Sequence, residues 1–313
     1  MCKKKSRSRL EKDSEKNTLL NHMAMSIVVN LITSKRVERK TLWENIQGIY
    51  APVYCLSVDE KCPTIRFGVF MRSNRGIEVT EINEGYQVRI NVMANKADFD
   101  LWRHTIQILS VLVDAEIYNE DDEKIEDIFQ EYDDDRIDEI IIHDYKLINV
   151  MVKAHHGEPI GIFGLIREAY IGNWLIGHLD IADLPAKHAA NIFHQWFNDL
   201  NWDTYIKEKE GTYTQMMLRE PGSDESKRVS LYHYHGEDTI YSYISPAELF
   251  CIHDPNTDET ILMKYDDLEK IVPSSWERID DKQFAVCPLS EYEFRVFKAN
   301  AKKYAISVMS DCL

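Results

Sequence analysis

A chain of 313 residues with 44% hydrophobic and 11% aromatic side chains can fill one large domain or two ordinary ones, each with its own core. That composition excludes a wholly disordered chain, and only 12 Gly and 9 Pro exclude a fibrous or low-complexity one. The net charge of −16 is uneven: residues 1–40 carry +7 and the remainder −23, of which −13 falls in residues 114–144, where 15 acidic side chains face only Lys124 and Arg136. A body this acidic repels a phosphate backbone, so nucleic-acid binding by the folded part is not expected, and a basic protein partner is.

Residues 1–18 read as a disordered basic tail containing Lys3, Lys4, Lys5, Arg7 and Arg9. The apolar stretch Leu19–Ile32 is interrupted by Asn21, His22, Ser26 and Asn30, which argues against both a signal peptide and a membrane span. Leu20, Met23, Ile27 and Leu31 keep helical spacing, so this segment is expected to be a helix buried in the core or facing a partner.

Dense Val, Ile, Tyr and Phe predict strands at 53–58, 64–71, 77–82 and 86–93. Asn83-Glu84-Gly85 joins the last two as a hairpin, with Gly85 free to take positive φ. Phe99, Trp102, Ile106, Leu109, Leu112 and Val113 recur at three- and four-residue intervals and predict a helix over 96–113. A strand at 115–118 and a short acidic helix over 122–132 follow. Two strands, 145–153 and 159–166, are expected around a turn at His155-His156-Gly157-Glu158, then a helix over about 186–200 that starts after Pro185.

Beyond that helix, short strand-like runs at 213–218, 229–234, 239–244, 261–265 and 284–287 alternate with helical segments around 246–251 and 290–302, and 219–228 reads as a solvated loop. The expected fold class is α+β, with mixed or antiparallel sheets and a few packed helices. Its expected organisation is the tail 1–18, an α+β domain over 19–205 and a β-rich α+β domain over 206–313. The six cysteines show no CxxC spacing, so reduced thiols, a cytoplasmic location and no structural zinc site are expected.

The usual nucleophile and phosphate-loop signatures, GxSxG, GxxxxGK[ST] and GxGxxG, do not occur. Cys251 and His253 are close in sequence, but alternate residues do not by themselves make a nucleophile and base. Arg72, Arg75 and Arg89 could gather at one end of a sheet as an anion clamp, or pair with Glu78, Glu81 and Glu84 in a polar turn. His233 and His235 share one face of a strand, and with His253 a three-ligand metal site can be drawn, the alternative being surface histidines. Adjacent His155 and His156 diverge in a turn, and His188 and His194 miss the i, i+4 spacing of a zinc helix. The acidic stretch supplies candidate partner-binding residues Asp121, Asp122, Glu123, Asp133, Asp134, Asp135 and Asp138, with a solvated surface and divalent-cation binding by Asp133-Asp134-Asp135, which lacks the full EF-hand spacing, as the alternatives.

Several runs together resemble an uncharacterised bacterial family known as a domain of unknown function, with members of about this length. They are Arg72-Ser73-Asn74-Arg75-Gly76-Ile77-Glu78, Tyr86-Gln87-Val88-Arg89-Ile90, Lys96-Ala97-Asp98-Phe99-Asp100-Leu101-Trp102, Trp276 to Phe284 and Leu289 to Phe294. The resemblance spans roughly residues 60–300 and implies no activity. The function expected is that of a non-enzymatic cytoplasmic binding protein without a cofactor, of immunity or antitoxin type, capturing a basic protein through its acidic surface. Two alternatives are a metal-dependent hydrolase using His233, His235 and His253, and a subunit of a bacterial defence or secretion assembly held through residues 19–32.

Overall fold

The computed structural model describes residues 26–50, 52–55, 62–155, 158–202, 215–219, 226–236 and 242–306. The expected tail over 1–18, residues 19–25, His156 and the centre of the 219–228 loop lie outside the described residues. Contacts divide the chain into two compact units, Met1–Lys146 and Leu147–Leu313, and the class is α+β.

In the first unit seven strands form one sheet: β1 (Ser26–Ile32), β2 (Val53–Cys55), β3 (Thr64–Val69), β4 (Ile77–Ile82), β5 (Gly85–Asn91), β6 (Glu116–Tyr118) and β7 (Lys124–Ile125). Their order is β2-β3-β4-β5-β1-β6-β7, with every neighbouring pair antiparallel. Alternation decides the faces: in β5 Tyr86, Val88 and Ile90 are buried while Gln87, Arg89 and Asn91 stay half exposed. Register places Val29 and Val79 on either side of Val88, so one apolar stripe runs across three strands.

Helix α1 (Arg39–Ile49) and the long α2 (Lys96–Val113) follow in the chain around these strands. Helix α2 packs on β5, β3, β4 and β1 and buries Phe99, Trp102, Ile106 and Leu109, each contributing roughly 1.5–3 kcal/mol by apolar burial. The Trp102 indole N–H donates to the Val88 carbonyl at 3.2 Å. At the β4–β5 turn Gly85 has φ +145°, and a Cβ there would lie 1.9 Å from the Leu31 carbonyl oxygen, so only glycine fits beside β1.

After β7 come a single helical turn, α3 (Ile128–Glu131), and α4 (Asp134–Ala154), within which Lys146 ends the first unit. The second unit holds the hairpin β8 (Ile160–Phe163) and β9 (Glu168–Ile171), short α5 (Asn173–His178) and α6 (Ala186–Trp202). Strands β10 (Gln215–Arg219), β11 (Ser226–His233), β13 (Leu249–Asp254) and β14 (Glu259–Lys264) make a sheet in that order, parallel only between β11 and β13. Strands β12 (Ser242–Ile244), β15 (Glu277–Arg278) and β16 (Phe284–Val286) make a second sheet, ordered β12-β16-β15. Helix α7 (Glu291–Ala301), started by a Ser290/Glu293 capping box, brings Phe294 and Phe297 into a core with Tyr232, Phe250, Ile252 and Trp276.

Two neighbouring carboxylates organise this unit's backbone. Asp281 accepts the N–H groups of Gly172, Trp174 and Leu175 at 2.6, 3.0 and 3.1 Å, which satisfies the amino end of α5. Asp280 accepts those of Tyr170, Lys282 and Gln283, each at 2.8 Å, and burial pushes its carboxyl up to about 7.

Four expected elements are corrected. Residues 26–32 form a strand between β5 and β6, not part of a helix: Ile27, Val29 and Leu31 also satisfy a period of two, and the β-branched density of Ile27, Val28, Val29 and Ile32 favours extended backbone. Residues 145–153 lie in α4, where Ile137, Ile141, Tyr145, Ile148 and Val152 form one buried stripe at helical intervals. The helical segment expected around 246–251 enters β13, whose continuous apolar run reflects burial of both faces. The acidic helix over 122–132 shrinks to α3, because Lys124–Ile125 pair with β6 and Asp127 caps the turn that follows. Among the described residues, no helix is long and apolar enough to cross a membrane.

Candidate functional site

The acidic stretch begins in the β6–β7 turn. Asn119 builds that turn: its side-chain oxygen accepts the N–H groups of Asp121 and Glu123 at 3.0 and 2.8 Å, and Asp122 takes φ 59°. The side chains of Asp121, Asp122 and Glu123 are thereby left on the surface.

Many of the following carboxylates are spent on structure. Asp127 caps α3 through the Phe129 N–H at 2.8 Å, and Asp133 accepts the Arg136 N–H at 2.8 Å in the first turn of α4. Asp134 takes a hydrogen bond from Arg103 at 3.2 Å, and Lys96 lies 3.6 Å from Asp138. Glu120 accepts the Val28 N–H at 2.7 Å, tying the turn to β1. Asp144 accepts the Met93 N–H at 2.9 Å, and burial raises its carboxyl to about 6. By contrast Asp121, Asp122, Asp135 and Glu139 are exposed, and among the described residues no cation pairs with them.

The three arginines are placed differently from one another. Arg72 is exposed, Arg89 stands beside Glu78 across the β4–β5 ladder, and Arg75 is largely buried, which lowers its guanidinium to about 10 with help from neighbouring Arg66. The loop between β3 and β4 has already chosen its anion: Asp98 accepts the N–H groups of Asn74, Arg75 and Gly76 at 3.1, 3.0 and 2.8 Å. It also accepts the Asn95 N–H at 3.0 Å while the Asn95 side chain caps Asp98, a reciprocal box at the start of α2. An external anion would therefore have only side chains to bind there. The sequence carried a signal for Asp98, since Asn followed three residues later by an acid is a helix-start pattern.

The structure brings His233, His235 and His253 together. His233 and His253 are register partners on the parallel strands β11 and β13, with ring centroids 4.7 Å apart at 50°. His235 stacks on His233 at 4.3 Å and 25°, and His253 Nδ1 lies 3.2 Å from the Thr260 hydroxyl on β14. Burial, then the neighbouring His235 and His253, hold His233 below the usual imidazole value. The rings are stacked, and among the described residues no group of three or more His, Cys, Asp or Glu is placed as it stands to hold a metal ion.

Cys251 precedes His253 on the same face, but burial pushes its thiol up to about 11, which removes it as a nucleophile. The described Cys55, Cys62, Cys251 and Cys287 form no disulfide with one another. His194 is buried in α6 and His188 stands six residues before it, so these two do not form a site.

A family model described as Domain of unknown function (DUF4299) matches residues 50–215, more than half of the chain. The match includes the Arg72–Glu78 and Lys96–Trp102 runs, whereas Trp276–Phe294 lies beyond it. No curated protein and no solved structure matches the chain. The Asp98-centred turn and helix start thus lie inside the matched region, and the chain belongs to the DUF4299 family of domains of unknown function.

Proposed function

We propose that this chain is a binding protein that captures a basic protein partner through the carboxylates of residues 121–139. The observation that supports the reading is the division among those carboxylates: Asp127, Asp133, Asp134 and Asp138 are engaged within the fold, while Asp121, Asp122, Asp135 and Glu139 stand exposed without a cation among the described residues. Like charges held this close in sequence repel one another, and a cationic surface relieves that repulsion. The same charge steers a basic partner into encounter, an effect screened by salt. An immunity or antitoxin-type role in the cytoplasm, with a cationic toxin as the partner, is the concrete form of this reading.

The test is affinity capture from the producing cells with the wild-type chain and an Asp121→Lys/Asp122→Lys/Asp135→Lys variant, with co-purifying proteins identified by mass spectrometry. Basic proteins that elute with salt and are lost from the variant are expected. The melting temperature of the variant is expected to fall by only a few degrees, because none of the three side chains pairs with a cation within the described structure and the helix dipole favours Asp135 alone among them. Capture that survives the triple reversal, or partners that are acidic, would overturn the reading.

A further inference from the structure

We propose that His233, His235 and His253 form a binding site for one divalent transition-metal ion of the zinc, nickel or copper type. The three imidazoles come from fixed backbone positions. His233 and His253 face each other across the only parallel pair of the β10-β11-β13-β14 sheet, and His235 lies two residues beyond His233, where the side-chain period of two returns to the same face. The extended path continues past β11, because the Tyr234 N–H donates to the His253 carbonyl at 3.0 Å.

Bond lengths show how far the stacked rings are from ligation. A metal sits about 2.0–2.1 Å from an imidazole nitrogen, which sets the centroids of two tetrahedrally placed rings about 5 Å apart. The observed separations are 4.3 and 4.7 Å. His233 therefore stands near ligating spacing from each of its two neighbours, and a shared ion requires side-chain torsions that turn the three stacked rings until their nitrogens converge, while the strands stay still.

The donor set selects the ion. Three imidazoles suit zinc, nickel or copper, whereas calcium and magnesium require oxygen ligands. The nearest carboxylate in sequence, Asp254, alternates to the opposite face of β13 and bonds Lys298, so it does not compete for the histidines. The Thr260 hydroxyl beside His253 Nδ1 is the supporting contact a metal-bound histidine needs, holding the ring with Nε2 free for the ion.

The test uses the untagged full chain, stripped with a chelator and titrated with zinc against a chromophoric competitor, and separately with cobalt. One zinc per chain and the intense visible bands of tetrahedral cobalt are expected. His235→Ala, at an exposed position that does not threaten the core, should weaken zinc binding about 100-fold, as should His253→Gln; Thr260→Val should weaken it about 10-fold. His188→Ala is the control and should change nothing. Zinc affinity that is unchanged in both His235→Ala and His253→Gln, or a wild-type chain that binds no zinc, would overturn the proposal.

Discussion

Asp98 in the first unit and Asp281 in the second do the same work in different surroundings. Each carboxylate is withdrawn from solvent, 0% and 9% exposed, and each accepts several backbone N–H groups. Asp98 reaches 22 to 24 residues back in the chain to a turn and sits near the guanidinium groups of Arg66 and Arg75. Asp281 reaches over 100 residues to the start of α5. Beside it lies a second carboxylate, Asp280, and the nearby Arg278 donates to the backbone carbonyls of Asp280 and Asp281 and to the Glu269 carboxylate rather than to either aspartate side chain. The comparison shows that Arg72–Trp102, inside the family match, and Trp276–Phe284, beyond it, both contain carboxylates that organise backbone. Their pattern describes a fold more than a chemistry.

Removing these carboxylates gives the largest expected effects. Asp98→Ala strands four N–H groups, three of them from the β3–β4 turn, and should cost about 4 kcal/mol. Asp281→Ala strands three and should cost about 3 kcal/mol. Native-state hydrogen exchange resolves where the loss falls: Asp98→Ala should accelerate amides of α2, and Asp281→Ala those of α5. An Asp98→Ala chain as stable as wild type in urea would break the equivalence between the two sites.

That contrast also explains what could be read from sequence. Helix α2 was legible to its ends because a long apolar stripe, Phe99 to Val113, follows a local start signal. The hairpin at Gly85 was legible for the same reason: the turn is local, although the need for glycine comes from β1, which no local pattern announces. β1 itself was misread because a short apolar run satisfies periods of 3.6 and 2 alike, and its place between β5 and β6 is set by pairings with distant residues. Asp281 stayed invisible because its partners lie over 100 residues away. At the candidate sites, the meeting of His233 with His253 depends on strand pairing that sequence can only suggest. Which acidic residues are caps was hidden until α3 and α4 had boundaries.

Titration offers a smaller and more specific test. The Asp280 carboxyl, raised to about 7 against about 4 when unfolded, contributes stability while protonated and loses it as pH rises from about 4 through 7. His194, lowered by complete burial to about 4, acts in the opposite sense: its contribution is lost as pH falls from about 6.5 toward 4. The two slopes oppose one another between pH 4 and 6.5. Relative to wild type, Asp280→Asn should therefore tilt urea stability upward with pH across that window, and His194→Phe should tilt it downward. Parallel curves for the two variants would mean that neither group titrates as its burial implies.

The smallest effects separate carboxylates that hold the fold from those that do not. Asp133 accepts the Arg136 N–H at the start of α4, so Asp133→Ala should cost about 1 kcal/mol. Asp135 lies in the same first turn with no such bond, and only the helix dipole favours its charge, so Asp135→Ala should cost about 0.3–0.5 kcal/mol. Asp121 has no cation beside it and sits among like charges, so Asp121→Ala should leave stability unchanged or raise it by a few tenths of a kcal/mol. Thermal melts of the three variants at low and high salt check the order, and salt should shrink the Asp135 and Asp121 effects while sparing the Asp133 cap. A surface charge whose removal costs the fold nothing has its value elsewhere, and the same Asp121 and Asp135 are the positions at which partner capture should fail. An Asp121→Ala loss as large as that of Asp133→Ala would move Asp121 into the structural group and leave the docking surface with fewer free carboxylates than its charge suggests.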